Sequence, residues 1–182
     1  MPDERKNLIV LFPGAGYTVD KPLLYYAGFK YYVKGYDSLK IDYGDCLKNE
    51  KPFPEKLEDI KKLVLNQVSE MDFSIYDDIV FVSKSMGTVI ASWLGEIISR
   101  DNIRHVYLTP VGDTLQYIKH GKNISIVIAG TADNFLDTNI LTEYCGREKI
   151  KLELIENADH ALNIFGDIDI NINNLKRVVE LM

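Results

Sequence analysis

Six short apolar segments recur along the chain, and each is rich in Val, Ile or other residues that favour strands. Most are apolar nearly throughout and do not alternate with polar residues, which is typical of strands covered on both faces. The predicted strands are residues 7–12, 38–43, 78–83, 103–109, 124–129 and 150–155. We expect them to lie in a buried sheet.

Between the predicted strands, apolar residues repeat every three or four positions, as they do on one face of a helix. The pattern predicts helices over residues 54–71, 86–100 and 167–182. A further helix is predicted over residues 22–34, where Tyr and Phe supply much of the apolar surface. The alternation of strands and helices predicts a six-stranded parallel sheet between two helical layers, an α/β/α sandwich.

Composition and charge narrow the class of protein. The 182 residues are 46% apolar and 26% charged, with a net charge of −6. One globular domain, residues 1–182, is expected at this length, and the acidic balance disfavours nucleic acid as a partner. No apolar run reaches the ~20 residues of a membrane helix, and the first residues lack the apolar run of a secretory signal. The two cysteines have no CxxC spacing and suit a reducing compartment, so we expect a cytoplasmic protein with no membrane partner.

A candidate nucleophile follows the third predicted strand. The segment Ser83-Lys84-Ser85-Met86-Gly87 lies between this strand and an apolar helix. It is similar to the G-x-S-x-G turn, where the residues two before and two after a nucleophilic serine must be small. The helix directs its positive end at Ser85, and the N–H of Met86 can hold an oxyanion. A Ser-Gly loop with no catalytic role is the alternative.

A serine nucleophile needs a base, and the three histidines differ in placement. His105 lies within the fourth predicted strand, which favours a structural role, and His120 lies in a polar turn after a short helix. His160 follows the last predicted strand and precedes the last helix. It therefore belongs to the sheet edge where Ser85 is expected. We predict that His160 is the base, with an exposed loop histidine as the alternative.

A carboxylate at the same edge should orient His160. Asp133 is the aspartate closest to the end of the fifth predicted strand, and Asp137 lies about one helical turn further on. Asp113, after the fourth strand, is the rival, whereas the side chain of Asp159 should point away from its neighbour His160. We predict that Asp133 is the acid and keep Asp113 open. Helix capping is a structural alternative for each of these aspartates.

The first predicted strand ends in a glycine-bearing loop, Pro-Gly-Ala-Gly-Tyr. Its two glycines give the backbone freedom to turn an N–H towards the nucleophile, and we predict that Ala15 and Met86 form an oxyanion hole. Tyr17 is predicted to contact the substrate. The loop also matches the start of G-x-G-x-x-G, but Val19 occupies the third glycine position. No phosphate-binding or metal-binding motif occurs, so no cofactor and no metal are expected.

With Ser85, Asp133 and His160 in this order, the sequence resembles the α/β-hydrolase superfamily, especially its small bacterial members without a cap domain. The resemblance covers nearly the whole chain. The six predicted strands would correspond to the family's third to eighth strands. The segment before residue 7 has no room for the family's first two strands, and no insertion after the fourth predicted strand is long enough for a lid.

The resemblance implies hydrolysis of a small carboxylic ester or related acyl bond through an acyl-serine intermediate. Ser85 would attack, His160 would act as base and then as acid, and Asp133 would orient His160. Ser83 in place of glycine and Pro13 in place of the histidine of the common H-G pattern are departures from the family. A small acyl compound is the expected partner, and a monomer or homodimer the expected assembly.

Other functions share this set of residues. An acyltransferase or a thioesterase would use the same three side chains with a different acceptor or acyl donor, and a binding protein could retain the fold without turnover. Pocket shape decides between the enzymes. Tyr25, Tyr26 and Phe29 of the aromatic helix are expected either to line that pocket or to belong to the core.

Overall fold

A computed structural model describes residues 6–48, 50–120 and 123–182. In these ranges six parallel strands alternate with six helices. The strands are β1 (Lys6–Phe12), β2 (Asp37–Lys40), β3 (Tyr76–Lys84), β4 (Ile103–Leu108), β5 (Ile124–Gly130) and β6 (Leu152–Ile155). The helices are α1 (Pro22–Tyr32), α2 (Phe53–Val68), α3 (Gly87–Ile98), α4 (Leu115–His120), α5 (Thr138–Glu148) and α6 (Ile168–Leu181). The predicted six-stranded parallel sheet is confirmed.

The strand order across the sheet is β2-β1-β3-β4-β5-β6, and every neighbouring pair is parallel. The chain first moves outward from β1 to β2 and then returns past β1 to β3. Strand order therefore reverses between β1 and β3, and the loops that leave their carboxyl ends diverge to opposite faces. A crevice at such a reversal is where open α/β sheets bind ligands.

Helices cover both faces of the sheet, because alternate residues of each strand point to opposite sides. Leu11 of β1 belongs to a cluster with Leu24 of α1 and Val178 of α6. Its neighbour Val10 faces the other layer and belongs to a cluster with residues of α2 and α3, such as Ile90. A third cluster joins α4 and α5 to β4 and β5. The predicted three-layer arrangement is confirmed.

The two edge strands are shorter than the apolar pattern predicts. The β1–β2 register runs from Leu8↔Asp37 to Leu11↔Lys40, whereas the prediction for the second strand extended to residue 43. Ile41 and Tyr43 lie beyond β2 and are buried in the cluster formed with α2. Apolar residues mark burial, and at a sheet edge burial continues after strand pairing has ended.

The aromatic helix α1 begins with Pro22 at its first position, where proline's missing N–H has no intrahelical role. Leu24 and Ala27 face the sheet and are fully buried. Tyr25, Tyr26 and Phe29 are exposed on the outer surface, so the expectation that they belong to the core is wrong. No helix within the described ranges is long and apolar enough to cross a bilayer.

Candidate active site

Ser85 lies in a tight turn between the end of β3 and the start of α3. Its φ is 56°, in the left-handed region that residues with a side chain rarely adopt. The Ser85 N–H donates to the carbonyl oxygen of Leu108 at 2.9 Å, and the N–H of Thr88 donates to the Ser85 carbonyl oxygen at 2.9 Å. The neighbouring strand and the first turn of α3 thus hold a strained backbone, as is common where a side chain must be presented for function.

The residues around Ser85 allow close backbone contact. A Cβ atom added to Gly87 would lie 2.4 Å from the Pro13 carbonyl oxygen and 2.6 Å from that of Phe12, so only glycine fits there. The buried Ser83 hydroxyl donates to the Val106 carbonyl oxygen at 3.2 Å. Ser83 therefore fills the position of the usual glycine without a clash.

Ser85, His160 and Asp133 form a continuous hydrogen-bonded chain. The distance from His160 Nε2 to Ser85 Oγ is 2.8 Å, and that from His160 Nδ1 to Asp133 Oδ2 is 2.7 Å. Asp133 Oδ1 accepts the N–H of Phe135 at 2.9 Å, and only 2% of the Asp133 side chain is exposed. A carboxylate that accepts from Nδ1–H leaves Nε2 free to accept the Ser85 proton. The structure brings together the three residues that the sequence suggested for this role.

The loop that carries His160 lies directly against the end of β5. A Cβ atom added to Gly130 would lie 2.1 Å from the Ala158 carbonyl oxygen, so the glycine makes this approach possible. The N–H of Ala132 donates to that same oxygen at 3.0 Å. The N–H of Asn157 donates to Thr131 Oγ1 at 2.7 Å. These contacts fix the segment after β5, which carries Asp133, relative to the segment after β6.

The other candidate aspartates have different surroundings. Asp113 is exposed in a short 3₁₀ turn after β4. Asp137 caps α5 by accepting a backbone N–H at 2.8 Å. Asp159 accepts two backbone N–H groups of its own loop at 2.8 and 2.9 Å. Of the four aspartates, Asp133 is the one whose carboxylate contacts His160.

The remaining histidines lie elsewhere. His105 is buried in β4 between the rings of Phe81 and Tyr107, and burial lowers its pKa to about 4. It packs in the core, as expected for a structural histidine. His120 ends α4, and its side chain lies outside the described part of the structure.

Burial and three charged neighbours act on the pKa of His160, and their net effect is to lower it. Burial is the largest, and the positive charge of Lys84 lowers the pKa further, whereas Asp133 and Asp159 raise it. A lowered pKa keeps the imidazole neutral at neutral pH, which is the form that can accept a proton from a serine hydroxyl.

The glycine loop after β1 packs directly against the turn that holds Ser85. A Cβ atom added to Gly14 would lie 3.1 Å from Ser85 Cβ and 3.2 Å from the Lys84 carbonyl oxygen. Ala15 is exposed beside this contact, and Met86 precedes the first residue of α3. Within the described ranges, neither the Ala15 N–H nor the Met86 N–H donates to a backbone acceptor. The assignment of these two N–H groups to an oxyanion hole stays a prediction.

Tyr17 is anchored by its hydroxyl, with its ring next to two lysines. Tyr17 Oη accepts the N–H of Leu23 at 3.0 Å and so ties the glycine loop to the start of α1. The ring centroid lies 5.3 Å from the Nζ of Lys84 and 5.3 Å from that of Lys21. Tyr17 is partly exposed, and its contact with a substrate stays a prediction.

Two residues that sequence reasoning missed contact His160. Lys84 is only 1% exposed, and its Nζ donates to the His160 carbonyl oxygen at 2.6 Å. A lysine at the end of an otherwise apolar buried strand was the available signal. The Phe135 ring centroid lies 4.3 Å from that of His160, and Phe135 is 66% exposed. It lies in an irregular loop, where no periodicity could have identified it.

A metal centre is not evident at this edge. Across residues 6–48, 50–120 and 123–182, no group of three or more His, Cys, Asp or Glu side chains is placed to hold a metal ion. The polar groups around Ser85 instead suit proton transfer and the binding of a developing negative charge.

Solved structures include many with a similar fold. A protein of unknown function from Agrobacterium tumefaciens, grouped provisionally with the α/β hydrolases, gives a TM-score of 0.67 at 17% identity, covering 98% of this chain and 87% of that one. An α/β serine hydrolase homologue from Coxiella burnetii gives 0.65 at 14% identity, covering 96% and 84%. An esterase from Pyrococcus furiosus gives 0.64 at 15% identity, covering 98% and 83%.

No protein-family model and no curated protein sequence matches the chain. The similarity to solved structures is therefore a similarity of fold, as expected at identities this low. The segment that joins β4 to α4 is short, and the described residues contain no cap over Ser85. The chain has the α/β-hydrolase fold in a small form without a cap, as its resemblance to that superfamily predicted.

Proposed function

We propose that the protein is a serine hydrolase that cleaves a small carboxylic ester or a related acyl bond. The observation that carries the proposal is the chain of two hydrogen bonds, 2.8 Å and 2.7 Å long, from Ser85 through His160 to Asp133. The strained φ of Ser85 and its place between a buried strand and a helix add support. Fold similarity to an esterase is consistent with this activity but does not establish it.

In the first half of the reaction, Ser85 Oγ attacks the carbonyl carbon of the ester while His160 Nε2 takes the hydroxyl proton. The carbonyl oxygen becomes an oxyanion, which the N–H groups of Ala15 and Met86 stabilise together with the positive end of α3. Asp133 stabilises the imidazolium and keeps its ring in position. When the carbon–oxygen bond of the ester breaks, His160 gives its proton to the departing alkoxide, and the acyl group remains on Ser85.

In the second half of the reaction, a water molecule is the nucleophile in place of Ser85. His160 Nε2 takes a proton from a water molecule as the water oxygen attacks the acyl carbon. The tetrahedral intermediate collapses, the bond to Ser85 Oγ breaks, and His160 returns the proton to that oxygen. The products are a carboxylic acid and the free enzyme.

Covalent labelling tests the nucleophile. A fluorophosphonate should add to the wild-type protein once, on Ser85, as measured by intact mass and peptide mapping. Ser85→Ala should abolish labelling and reduce ester hydrolysis by several orders of magnitude, while Ser83→Ala, two residues away, should still be labelled. Labelling of a folded Ser85→Ala protein, or a labelled residue other than Ser85, would contradict the proposal.

A further inference from the structure

Lys84 is a buried charged residue to which the proposed reaction assigns no step. It directly precedes Ser85, and its side chain points into the protein beneath the turn. Its Nζ donates to the carbonyl oxygen of His160 at 2.6 Å and to the hydroxyl of Thr109. It also lies 5.3 Å from the ring centroid of Tyr17. One ammonium group thus contacts the segments after β1, β4 and β6.

Burying an ammonium group is energetically unfavourable. The presence of a buried lysine at this position therefore needs a physical explanation. Burial lowers the pKa of Lys84 to about 8, while the carboxylates of Asp133 and Asp159 raise it and Lys21 lowers it further. At neutral pH, the Nζ of Lys84 is still protonated in most of the protein molecules. Two oxygen acceptors and the face of an aromatic ring then compensate part of the lost hydration.

The same charge acts on the imidazole of His160. Lys84 disfavours the imidazolium, whereas Asp133 and Asp159 favour it. The hydrogen bond from Lys84 to the His160 carbonyl oxygen holds the backbone of this residue, while Asp133 and Ser85 contact its ring. Backbone and ring are therefore fixed by different partners.

We propose that Lys84 is a positioning residue for His160, holding its backbone against the ends of β3 and β4. This inference rests on the proposed function, because it assumes that His160 is the base. Lys84 is buried and does not contact the substrate. Its loss should therefore lower kcat and leave KM nearly unchanged.

Two substitutions separate charge from packing. Lys84→Met keeps the length of the side chain and removes the charge and the hydrogen bonds, whereas Lys84→Arg keeps a positive charge. For Lys84→Met we expect kcat to fall by about 10- to 100-fold, since misplacing a base by about 1 Å has effects of this size. We also expect the pKa that governs the acid side of the kcat/KM profile to rise, because the positive charge of Lys84 lowers the pKa of His160. For Lys84→Arg that pKa should stay close to the wild-type value.

A second readout does not depend on activity. Two-dimensional NMR of the imidazole nitrogens, assigned with His160→Gln, reports the titration of His160 in wild type and both variants. The pKa of His160 should rise in Lys84→Met and not in Lys84→Arg. If none of the proteins hydrolyses any ester but this difference is present, the proposed function fails, and only the electrostatic contact between Lys84 and His160 is supported. Lys21→Met is the matched control, since it removes an exposed lysine near the same Tyr17 ring.

Two results would overturn the inference. In one, folded Lys84→Met keeps the wild-type kcat and His160 titration. In the other, Lys84→Met and Lys84→Arg lose activity equally while the titration of His160 is unchanged, which indicates a packing role only. Should Lys84→Met fail to fold, Lys84→Gln keeps a hydrogen-bond donor without the charge, and the same rise in the pKa of His160 is expected.

Discussion

Replacing Lys84 with Met should change how the stability of the protein depends on pH. The side chain is 1% exposed, and burial lowers its pKa from 10.5 to about 8. Between these two values the unfolded chain binds the proton and the folded protein does not. The free energy of unfolding therefore increases with pH in this window, because stability rises wherever the unfolded state binds more protons.

The size of the effect follows from the two pKa values. The step from 10.5 to about 8 corresponds to a loss of about 3 kcal/mol of stability at neutral pH. By pH 10 the folded protein has released the proton and the unfolded chain has begun to release it, so about 1 kcal/mol of this loss remains. Between pH 7 and pH 10, the free energy of unfolding of the wild type should therefore increase by about 2 kcal/mol relative to that of Lys84→Met.

Urea unfolding, followed by the fluorescence of Trp93, the single tryptophan, measures this difference at pH 7, 8, 9 and 10. Burial raises the pKa of Tyr43 and Tyr107, but both residues are present in both proteins and cancel in the comparison. Lys21→Met controls for the loss of an exposed ammonium. A wild-type-minus-Met difference that stays constant over this range, or that falls with pH, would refute the reasoning.

Three further predictions concern the residues around Ser85. Asp133→Asn should reduce kcat by about 10³- to 10⁴-fold because an amide can hold the wrong tautomer of His160. Asp113→Asn should change kcat less than about twofold, and a reversed order of these two effects would assign the acid to the segment after β4. Phe135→Ala should lower kcat/KM by about 3- to 10-fold through the lost ring contact with His160. The urea midpoint should move little because Phe135 is exposed, and a large loss of stability would mean that the ring has a packing role instead. Among acetyl, butyryl, octanoyl and palmitoyl esters of one alcohol, kcat/KM should be highest for the short acyl groups, since the described residues provide no cap. A steady rise beyond octanoyl, at about 0.8 kcal/mol per CH₂, would reveal an acyl groove.

The sequence determined the architecture because strand and helix patterns repeat in strict alternation. A βαβ unit has one favoured hand, so alternation leads to a parallel sheet with right-handed crossovers, and the reversal of strand order between β1 and β3 places helices on both faces. It also indicated the candidate site, since Ser85, Asp133 and His160 lie one, three and five residues after the ends of β3, β5 and β6. Carboxyl ends of parallel strands share one edge, and residues far apart in sequence can be expected to meet there.

The exposure of the aromatic residues of helix α1 is a feature that the apolar pattern does not predict. The sequence could not decide the environment of Tyr25, Tyr26 and Phe29, because aromatic residues occur both in cores and on surfaces. The packing of Leu24 and Ala27 against the sheet decided it, since one side of the helix was then buried and the other exposed. The extent of β2 was likewise decided by pairing with β1 and not by the apolar run.

The choice among the aspartates needed distances that only the folded chain contains. Asp113, Asp133 and Asp137 all lie near carboxyl ends of strands, and each could cap a helix or orient a histidine. Gly130 allows the segments after β5 and β6 to touch, and that contact places Asp133 at 2.7 Å from His160. Lys84 was visible in the sequence only as a charge after a buried strand. Only the folded chain places its ammonium group next to His160, on the interior side. Electrostatic and hydrogen-bond effects depend on distances that the order of residues does not specify.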